Sequence, residues 1–179
     1  MLKVPDGSRQ PRLSIASALF ETSLGLALAA GGDQGISAIY LADEPEPMLQ
    51  ALQMRFSPRE ITQGDDRFRG YVCAVARLIE QPQSPREFPL DIATGTPFQR
   101  LVWDALCDIP TGATASYADV ARRIGMPRAV RAVAAACAAN NIAVAIPCHR
   151  VLRSDGAISG YYWGVERKRE LLRREGVAA

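Results

Sequence analysis

Cys148 and His149 are adjacent in the sequence, and His149 is the single histidine of the 179-residue chain. The thiolate is the nucleophilic form of cysteine, and a free thiol with a pKa of about 8.5 is only slightly ionised at neutral pH. A base or a positive field must activate it, and His149 and Arg150 offer one of each. Because adjacent side chains of a strand point to opposite faces, the imidazole needs a bend at Pro147 or a bridging water. An ordinary cysteine–histidine pair at a strand end is the alternative.

The other three cysteines, Cys73, Cys107 and Cys137, are far apart and form no Cys-x-x-Cys pair. A structural zinc site uses about four Cys or His ligands, usually at short paired spacings. The spacing therefore predicts no metal site. The first residues contain no apolar leader, which favours a cytoplasmic location with reduced thiols. We expect all three cysteines to pack as small apolar residues in the core.

Arginines are concentrated around Cys148. Residues 120–154 contain six arginines and no carboxylate, although the formal charge of the whole chain is only +2. A basic surface on a balanced protein favours a polyanion such as nucleic acid. From charge alone, a solvated face that lacks acids is an equal alternative. The alanine-rich stretch 132–148 contains Asn140 and Asn141 and does not resemble a membrane span, so we expect no membrane contact.

The first half of the chain alternates between apolar and polar residues and predicts a small α/β domain at 13–90, after a loose tail at 1–12. Helical spacing of apolar residues predicts two helices, and a stretch with two prolines predicts a linker. The predicted elements are strands at 15–22, 24–30 and 36–41, helices at 48–56 and 68–79, a linker at 81–86 and a strand at 88–92.

The second half, 91–179, is predicted to be mainly helical. Thr96 and Ser116 are suited to cap helices, and Pro127 is suited to open one. Two short helices joined by a glycine-containing turn, the second with arginines, match the helix-turn-helix outline, which structural helix pairs also share. The predicted elements are helices at 97–108, 117–124, 128–139 and 165–175, with a strand at 142–146 that leads into Cys148.

The motif Ile146-Pro147-Cys148-His149-Arg150-Val151 resembles the active-site signature of the O6-alkylguanine-DNA alkyltransferases. The resemblance covers all of 91–179 with its spacing preserved, and 13–90 more weakly. Residues 159–168 are most similar to the repair half of bacterial adaptive-response proteins of the Ada type. The further motifs that carry the resemblance are Thr94–Phe98, Ser116-Tyr117, Arg128–Val133, Asn140, Gly160-Tyr161 and Leu171–Glu175.

The resemblance implies an α+β protein in which a small ribonuclease H-like α/β domain precedes a helical winged helix-turn-helix domain that carries Cys148. It implies DNA repair by direct damage reversal, in which the methyl or other alkyl group on O6 of guanine moves irreversibly to Cys148. It also implies one turnover per molecule, no cofactor, and a cytoplasmic monomer. The partner would be double-stranded DNA with an alkylated guanine, bound in the minor groove.

Four residues take catalytic roles by resemblance. Cys148 would be the alkyl acceptor, and His149 would form its thiolate through a bound water. Glu175 would orient His149, and Asn140 would hold the turn between the recognition helix and the active-site strand. Without the resemblance, Glu175 would be assigned to an exposed helix end.

The resemblance also assigns the DNA surface and the base pocket. Arg131 would fill the gap left by the extruded nucleotide, and Tyr117 would push on its phosphate and reach its base. Alanines at 129, 132 and 136 would let the helix approach a narrow groove. Further phosphate contacts are expected from Arg122, Arg123, Arg128 and Arg150. The pocket would be lined by Tyr117, Tyr161, Tyr162 and Trp163, while carbonyls of Cys148 and Val151 read the guanine amino group.

Two departures from the family pattern lead to expectations. Asn141 stands where many relatives have proline, which predicts a less rigid turn. The bulky Trp163 predicts a narrow pocket that prefers methyl to benzyl-sized groups. Three rival functions are a non-enzymatic binder of alkylated bases, a transcription regulator and a cysteine hydrolase. A binder of that kind would lack the nucleophile, a regulator would bind a specific sequence, and a hydrolase would turn over repeatedly.

Overall fold

The computed structural model describes residues 14–177, and the predicted tail at 1–12 lies outside the described residues. The three predicted strands are confirmed as an antiparallel meander of β1 (Ile15–Thr22), β2 (Gly25–Gly32) and β3 (Gly35–Ala42). A short β4 (Ile61–Thr62) adds to β1 in parallel, which gives the order β3-β2-β1-β4. The consecutive buried residues of β2 and β3 show that both faces of this part of the sheet are covered.

Both predicted helices of the first half are confirmed. The first, α1 (Pro45–Phe56), buries Met48, Leu52 and Phe56 and contacts β3. The second, α2 (Asp66–Glu80), contacts β1 and β2 and begins at a side-chain cap, because Asp65 accepts from the backbone N–H of Phe68 at 2.9 Å.

The expected strand at 88–92 is wrong, since only Leu90 pairs with Ile36 as an isolated bridge. Pro89 has no backbone N–H, so the segment contributes one carbonyl and one amide to the edge of β3. The predicted burial of two cysteines is also wrong. Cys73 and Cys107 are exposed, whereas Cys137 is buried as expected.

The second half begins with α3 (Pro97–Cys107), α4 (Tyr117–Arg123) and α5 (Val130–Ala138). Capping boxes at Thr96 and Ser116 start α3 and α4, as their sequence predicts. The buried Trp103 of α3 donates to the Ala136 carbonyl of α5 at 2.9 Å, which joins the two helices.

The chain then continues through a 3₁₀ turn, which we name the Cys148 turn (Cys148–Arg150), into β6 (Val151–Leu152) and α6 (Val165–Arg174). A short β5 (Ala115–Ser116) precedes α4 and pairs with β6 in parallel. This pairing sets the first residue of α4, Tyr117, beside the Cys148 turn.

The predicted strand at 142–146 is wrong. These residues form turns, and buried Val144 has a φ of 65°, which is strained for a β-branched residue. Ile142 makes a single bridge to Ile39 of β3. Asn141 donates to the Ser37 carbonyl at 2.7 Å, so the turn expected to be less rigid is tied to the sheet.

Within residues 14–177, every helix falls short of the length and apolar character needed to cross a membrane.

Candidate active site

The Cys148 thiol is buried and is held by Asn140. Cys148 is 6% exposed, and the Asn140 amide donates to its Sγ at 3.1 Å. The same amide nitrogen donates to the Ile146 carbonyl at 2.9 Å, and its oxygen accepts from the Ile142 amide at 2.9 Å. Asn140 therefore closes the turn that leads out of α5 and also orients the sulfur.

His149 points to Glu175 from the Cys148 turn. Its Nε2 lies 2.9 Å from Glu175 Oε1, and both side chains are fully buried. Because an ionised carboxylate only accepts, Nε2 carries the proton and Nδ1 keeps its lone pair. Nδ1 is buried with no hydrogen-bond partner among residues 14–177. The imidazole is thus set in the tautomer whose free nitrogen can act as a base.

Arg150 requires a correction, because it is buried rather than available to DNA. Its guanidinium contacts both oxygens of Glu175 at 2.9 to 3.2 Å. It also donates to the Ile109 carbonyl at 2.6 Å and to Thr111 Oγ1 at 3.1 Å. A phosphate contact would leave the Glu175 charge buried with less compensation, at a cost of about 3–5 kcal/mol. Arg150 instead fixes the carboxylate that holds His149.

Burial dominates the acid–base properties of the site. It raises the pKa of the Cys148 thiol, against the hydrogen bond from Asn140 and the charge of Lys168. Burial also lowers the pKa of His149 from 6.5, although Glu175 acts in the opposite direction. For Glu175, burial raises the pKa, but the hydrogen bonds from His149 and Arg150 outweigh it and leave it below 4.5. The resting site therefore holds a neutral thiol, a neutral imidazole and an ionised carboxylate.

Lys168 belongs to this site, and sequence reasoning missed it. The side chain is fully buried on α6 and donates to the Val151 carbonyl at 2.6 Å and to Ser159 Oγ at 3.3 Å. Burial lowers its pKa, partly opposed by the Cys148 and Cys137 thiols. A lysine seven residues before Glu175 lies on the same face of a helix, two turns away, and this spacing was the available signal.

Two tyrosines, Tyr117 and Tyr161, lie near Cys148. Tyr117 is half-buried, and its hydroxyl lies 2.7 Å from Ser159 Oγ. Tyr161 stands edge-on to His149 with 6.5 Å between ring centroids. The Val151 amide donates to the Cys148 carbonyl, and Lys168 donates to the Val151 carbonyl. Each of these two carbonyls keeps one lone pair for a further donor.

Trp163 and Tyr162 form the outer part of the loop. Trp163 is buried and stacks on Tyr40 of β3 at 5.3 Å, while Tyr162 is 69% exposed and stands edge-on to Trp163 at 4.6 Å. Trp163 lines a cavity of about 640 Å³ together with Tyr40 and Asn140. Its ring thus packs on the sheet of the first half.

Comparison with known proteins gives the family. A family model described as "6-O-methylguanine DNA methyltransferase, DNA binding domain" matches residues 97–177. The inducible methylated-DNA–protein-cysteine methyltransferase of Bacillus subtilis is 39% identical over 127 residues, which cover 71% of this chain and 70% of that protein. The chain belongs to this methyltransferase family.

Two further relatives extend the match. The bifunctional transcriptional activator/DNA repair enzyme Ada of Escherichia coli is 48% identical over 91% of this chain, which spans about half (46%) of that protein's length. The crystal structure of Mycobacterium tuberculosis OGT in complex with DNA superposes with a TM-score of 0.74 and 32% identity, and covers 89% of this chain and 92% of that one. The likeness therefore includes both halves of this family member.

Four of the predicted DNA contacts of this family member are exposed residues of α4, α5 and the turn that connects these helices. They are Arg122, Arg123, Arg128 and Arg131. The exposed face of α5 continues from Arg131 through Ala132 and Ala135. The alanine face needs one correction, because Ala136 is buried under Trp103.

The buried His149, whose pKa is lowered by folding, predicts how the stability of the protein depends on pH. A pKa that is lower in the folded than in the unfolded chain contributes stability above the unfolded value, and this stability is lost as the pH falls. As the pH falls below about 6.5, the free energy of unfolding should fall by up to about 1.4 kcal/mol per pH unit.

Chemical denaturation at several pH values measures this slope. His149→Gln is the control and should show little slope in this window, because carboxylates titrate lower. An equal slope in the variant would show that the buried imidazole is not its source.

Proposed function

We propose that this chain repairs DNA by moving the methyl group of O6-methylguanine to its own Cys148. The Sγ thiolate attacks the methyl carbon, the carbon–O6 bond breaks, and the guanine leaves with its bonding electrons and takes up a proton. The proposal depends on two hydrogen bonds at this site. Asn140 donates to Cys148 Sγ, and His149 donates to Glu175. Family membership supports the same chemistry.

The thiolate forms when the imidazole of His149 takes up the thiol proton. Nδ1 of His149 takes the thiol proton through one water molecule, and Glu175 stabilises the resulting imidazolium. Asn140 and Lys168 stabilise the charge on sulfur, because one donates to it and the other brings a cation into a low-dielectric site. The hydrogen bond and the cation both reduce the free-energy cost of burying the thiolate charge.

The product explains why one molecule acts once. A thioether has no carbonyl for water to attack, unlike the acyl intermediate of a cysteine hydrolase. The alkylated Cys148 therefore accumulates, and the reaction needs no cofactor.

Double-stranded DNA is the proposed partner, bound in the minor groove by a monomer through the winged helix-turn-helix of 91–179. A duplex hides the methyl carbon in the base stack, so the nucleotide must be extruded at a cost of a few kcal/mol. Arg131 occupies the resulting gap, and Tyr117 acts on the target phosphate. The exposed alanines of α5 permit the close approach. We assign 13–90 to the ribonuclease H-like domain and place the protein in the cytoplasm.

The base pocket is proposed to form between the Cys148 turn and the loop before α6. The carbonyls of Cys148 and Val151 accept from the guanine amino group through their free lone pairs. Tyr161, the Tyr162 amide and Trp163 bound the pocket, and methyl groups should be preferred to benzyl groups.

Trp163→Ala tests this size limit. Removing the indole should speed inactivation by O6-benzylguanine by about tenfold, the value of about 1.4 kcal/mol of relieved crowding, and leave methyl transfer within a factor of about 3. Inactivation rates by the two bases measure it, with Tyr40→Leu as the control for the lost stacking partner. Equal gains with both bases would contradict a size limit at Trp163.

A titration tests the function against its rivals. Duplex DNA with one O6-methylguanine is added in excess, and the methylated base remaining is counted against the amount of protein. We expect the loss of one base per chain, with none for Cys148→Ser. No loss with tight binding would indicate a binder or a regulator, and loss of many bases per chain would indicate a hydrolase.

A further inference from the structure

Two pairs of side chains on α6 and its C-cap residue, Glu175, face different parts of the molecule. Lys168 and Glu175 are seven residues apart, and so are Arg167 and Arg174. Seven residues make about two helical turns, so each pair shares one face, and the two faces adjoin. The first pair contacts the Cys148 turn and β6. The second pair contacts the first half of the chain, which contains β1 to β4, α1 and α2 and is called the sheet domain below.

Arg167 reaches into the turn between β1 and β2. Its Nε donates to the Leu24 carbonyl at 2.6 Å, its Nη1 to the Trp163 carbonyl at 2.9 Å, and it pairs with Asp43 of the sheet domain. Gly25 has a φ of 99°, and a Cβ there would lie 2.9 Å from Arg167 Nη2. The turn is therefore shaped to admit this guanidinium.

Arg174 holds the same turn from two turns further along α6. Its Nη2 donates to Ser23 Oγ at 2.8 Å, and its Nη1 donates to the Ile79 carbonyl at 3.0 Å. Ile79 is in the last turn of α2, where a cation is favoured by the helix dipole. Glu80 lies 3.5 Å from Arg174 and also accepts from the Ser23 amide at 2.8 Å, so α2, the turn and α6 are joined.

We propose that Arg167 and Arg174, the arginine clamp, are positioning residues for methyl transfer. They hold α6 where Lys168 reaches Val151 and Glu175 reaches His149, so the sheet domain controls the reactivity of Cys148. The inference rests on the proposed function. The clamp contacts Leu24, Ser23, Asp43 and Ile79, and none of these residues is among the predicted DNA contacts.

The clamp predicts a change in pH dependence. The titratable groups that face Cys148 are Tyr117 of α4, Cys137 of α5, Tyr161 of the preceding loop and Lys168 of α6. His149 follows Cys148 in the same turn and is held by Glu175. Among these, Lys168 is the group that the clamp positions directly. If α6 moves away, the thiolate loses the cation and the imidazole loses Glu175. The rate of methyl transfer should then reach its plateau at a higher pH.

The test uses the full chain and measures single-turnover methyl transfer from O6-methylguanine duplex DNA between pH 6 and pH 9. The variants are Arg167→Ala, Arg174→Ala and their double variant. Arg169→Ala is the matched control, because Arg169 lies on the exposed face of α6 and pairs with Glu166 of the same helix. Binding to unmethylated duplex DNA is measured in parallel.

At neutral pH we expect the double variant to react at least about tenfold more slowly. A rise of about one in the pKa of the Cys148 thiol reduces the thiolate fraction by that factor. Its deficit should shrink as the pH rises, with DNA affinity unchanged and Arg169→Ala equal to wild type. A double variant with the wild-type rate and pH profile would overturn the clamp. If the double variant does not fold, the rates of Arg167→Lys and Arg174→Lys are measured over the same pH range. A plateau at higher pH supports the clamp, and wild-type profiles for both variants overturn it. Wild-type protein that takes up no methyl group would instead refute the proposed function.

Discussion

Lys168→Met is expected to slow methyl transfer by about 10²–10³-fold at neutral pH, the usual effect of removing one buried stabilising donor. The variant loses the cation that lowers the pKa of Cys148 and the donor to the Val151 carbonyl. Its rate profile should shift to higher pH, because the pKa of the thiol rises further. Single-turnover kinetics against pH measures both effects.

Unfolding does not account for this loss. Methionine has a volume similar to lysine and removes the cost of burying a charge, which offsets the loss of the hydrogen bond to the Val151 carbonyl. Thermal unfolding should therefore show only a small change in stability. Arg169→Met, on the exposed side of the same helix, is the control and should react like wild type. A folded Lys168→Met with the wild-type rate would remove Lys168 from the site.

Arg131→Ala is expected to lower methyl transfer from duplex DNA by about 10²-fold. Extrusion of a paired base costs a few kcal/mol, and about 2.7 kcal/mol of lost compensation corresponds to that factor. Arg131 is exposed at the start of α5, so its removal leaves the core unchanged. The free base O6-methylguanine needs no extrusion, and its rate of transfer should stay at the wild-type value.

Arg128→Ala separates extrusion from general attraction to phosphate. This neighbouring exposed arginine should weaken binding to all duplexes alike and reduce the slope of log affinity against log salt by about 0.9. Equal losses for Arg131→Ala on duplex DNA and on the free base would show that Arg131 acts on chemistry or folding, and not on extrusion.

Local signals made much of the fold predictable. Thr96 and Ser116 predict the starts of α3 and α4, because their side chains accept from the first helical N–H groups. The alternation of apolar and polar residues predicts the antiparallel meander. The segment before Cys148 was not predictable, since its apolar run has a strand-like composition. Asn140 and the positive φ of Val144 impose turns there, and these depend on contacts with the sheet.

Burial of charge explains the errors at the site. A charged side chain is exposed by default, so neither Arg150 nor Lys168 is recognisable as interior from its residue type. Glu175 compensates the first, and the Val151 carbonyl receives the second. Both partners are distant in sequence, and only the fold brings them together. The adjacent Cys148 and His149, by contrast, are singled out as candidates by their residue types together with the family resemblance.

Intact mass spectrometry with peptide mapping shows whether the methyl group moves to Cys148. The protein is incubated with duplex DNA containing O6-methylguanine, then weighed and digested. We expect that each chain gains one methyl group in place of a hydrogen, on the peptide that contains Cys148, and that Cys148→Ser gains none. A methyl group on Cys73, Cys107 or Cys137, or an unchanged mass after the lesion has disappeared, would contradict it.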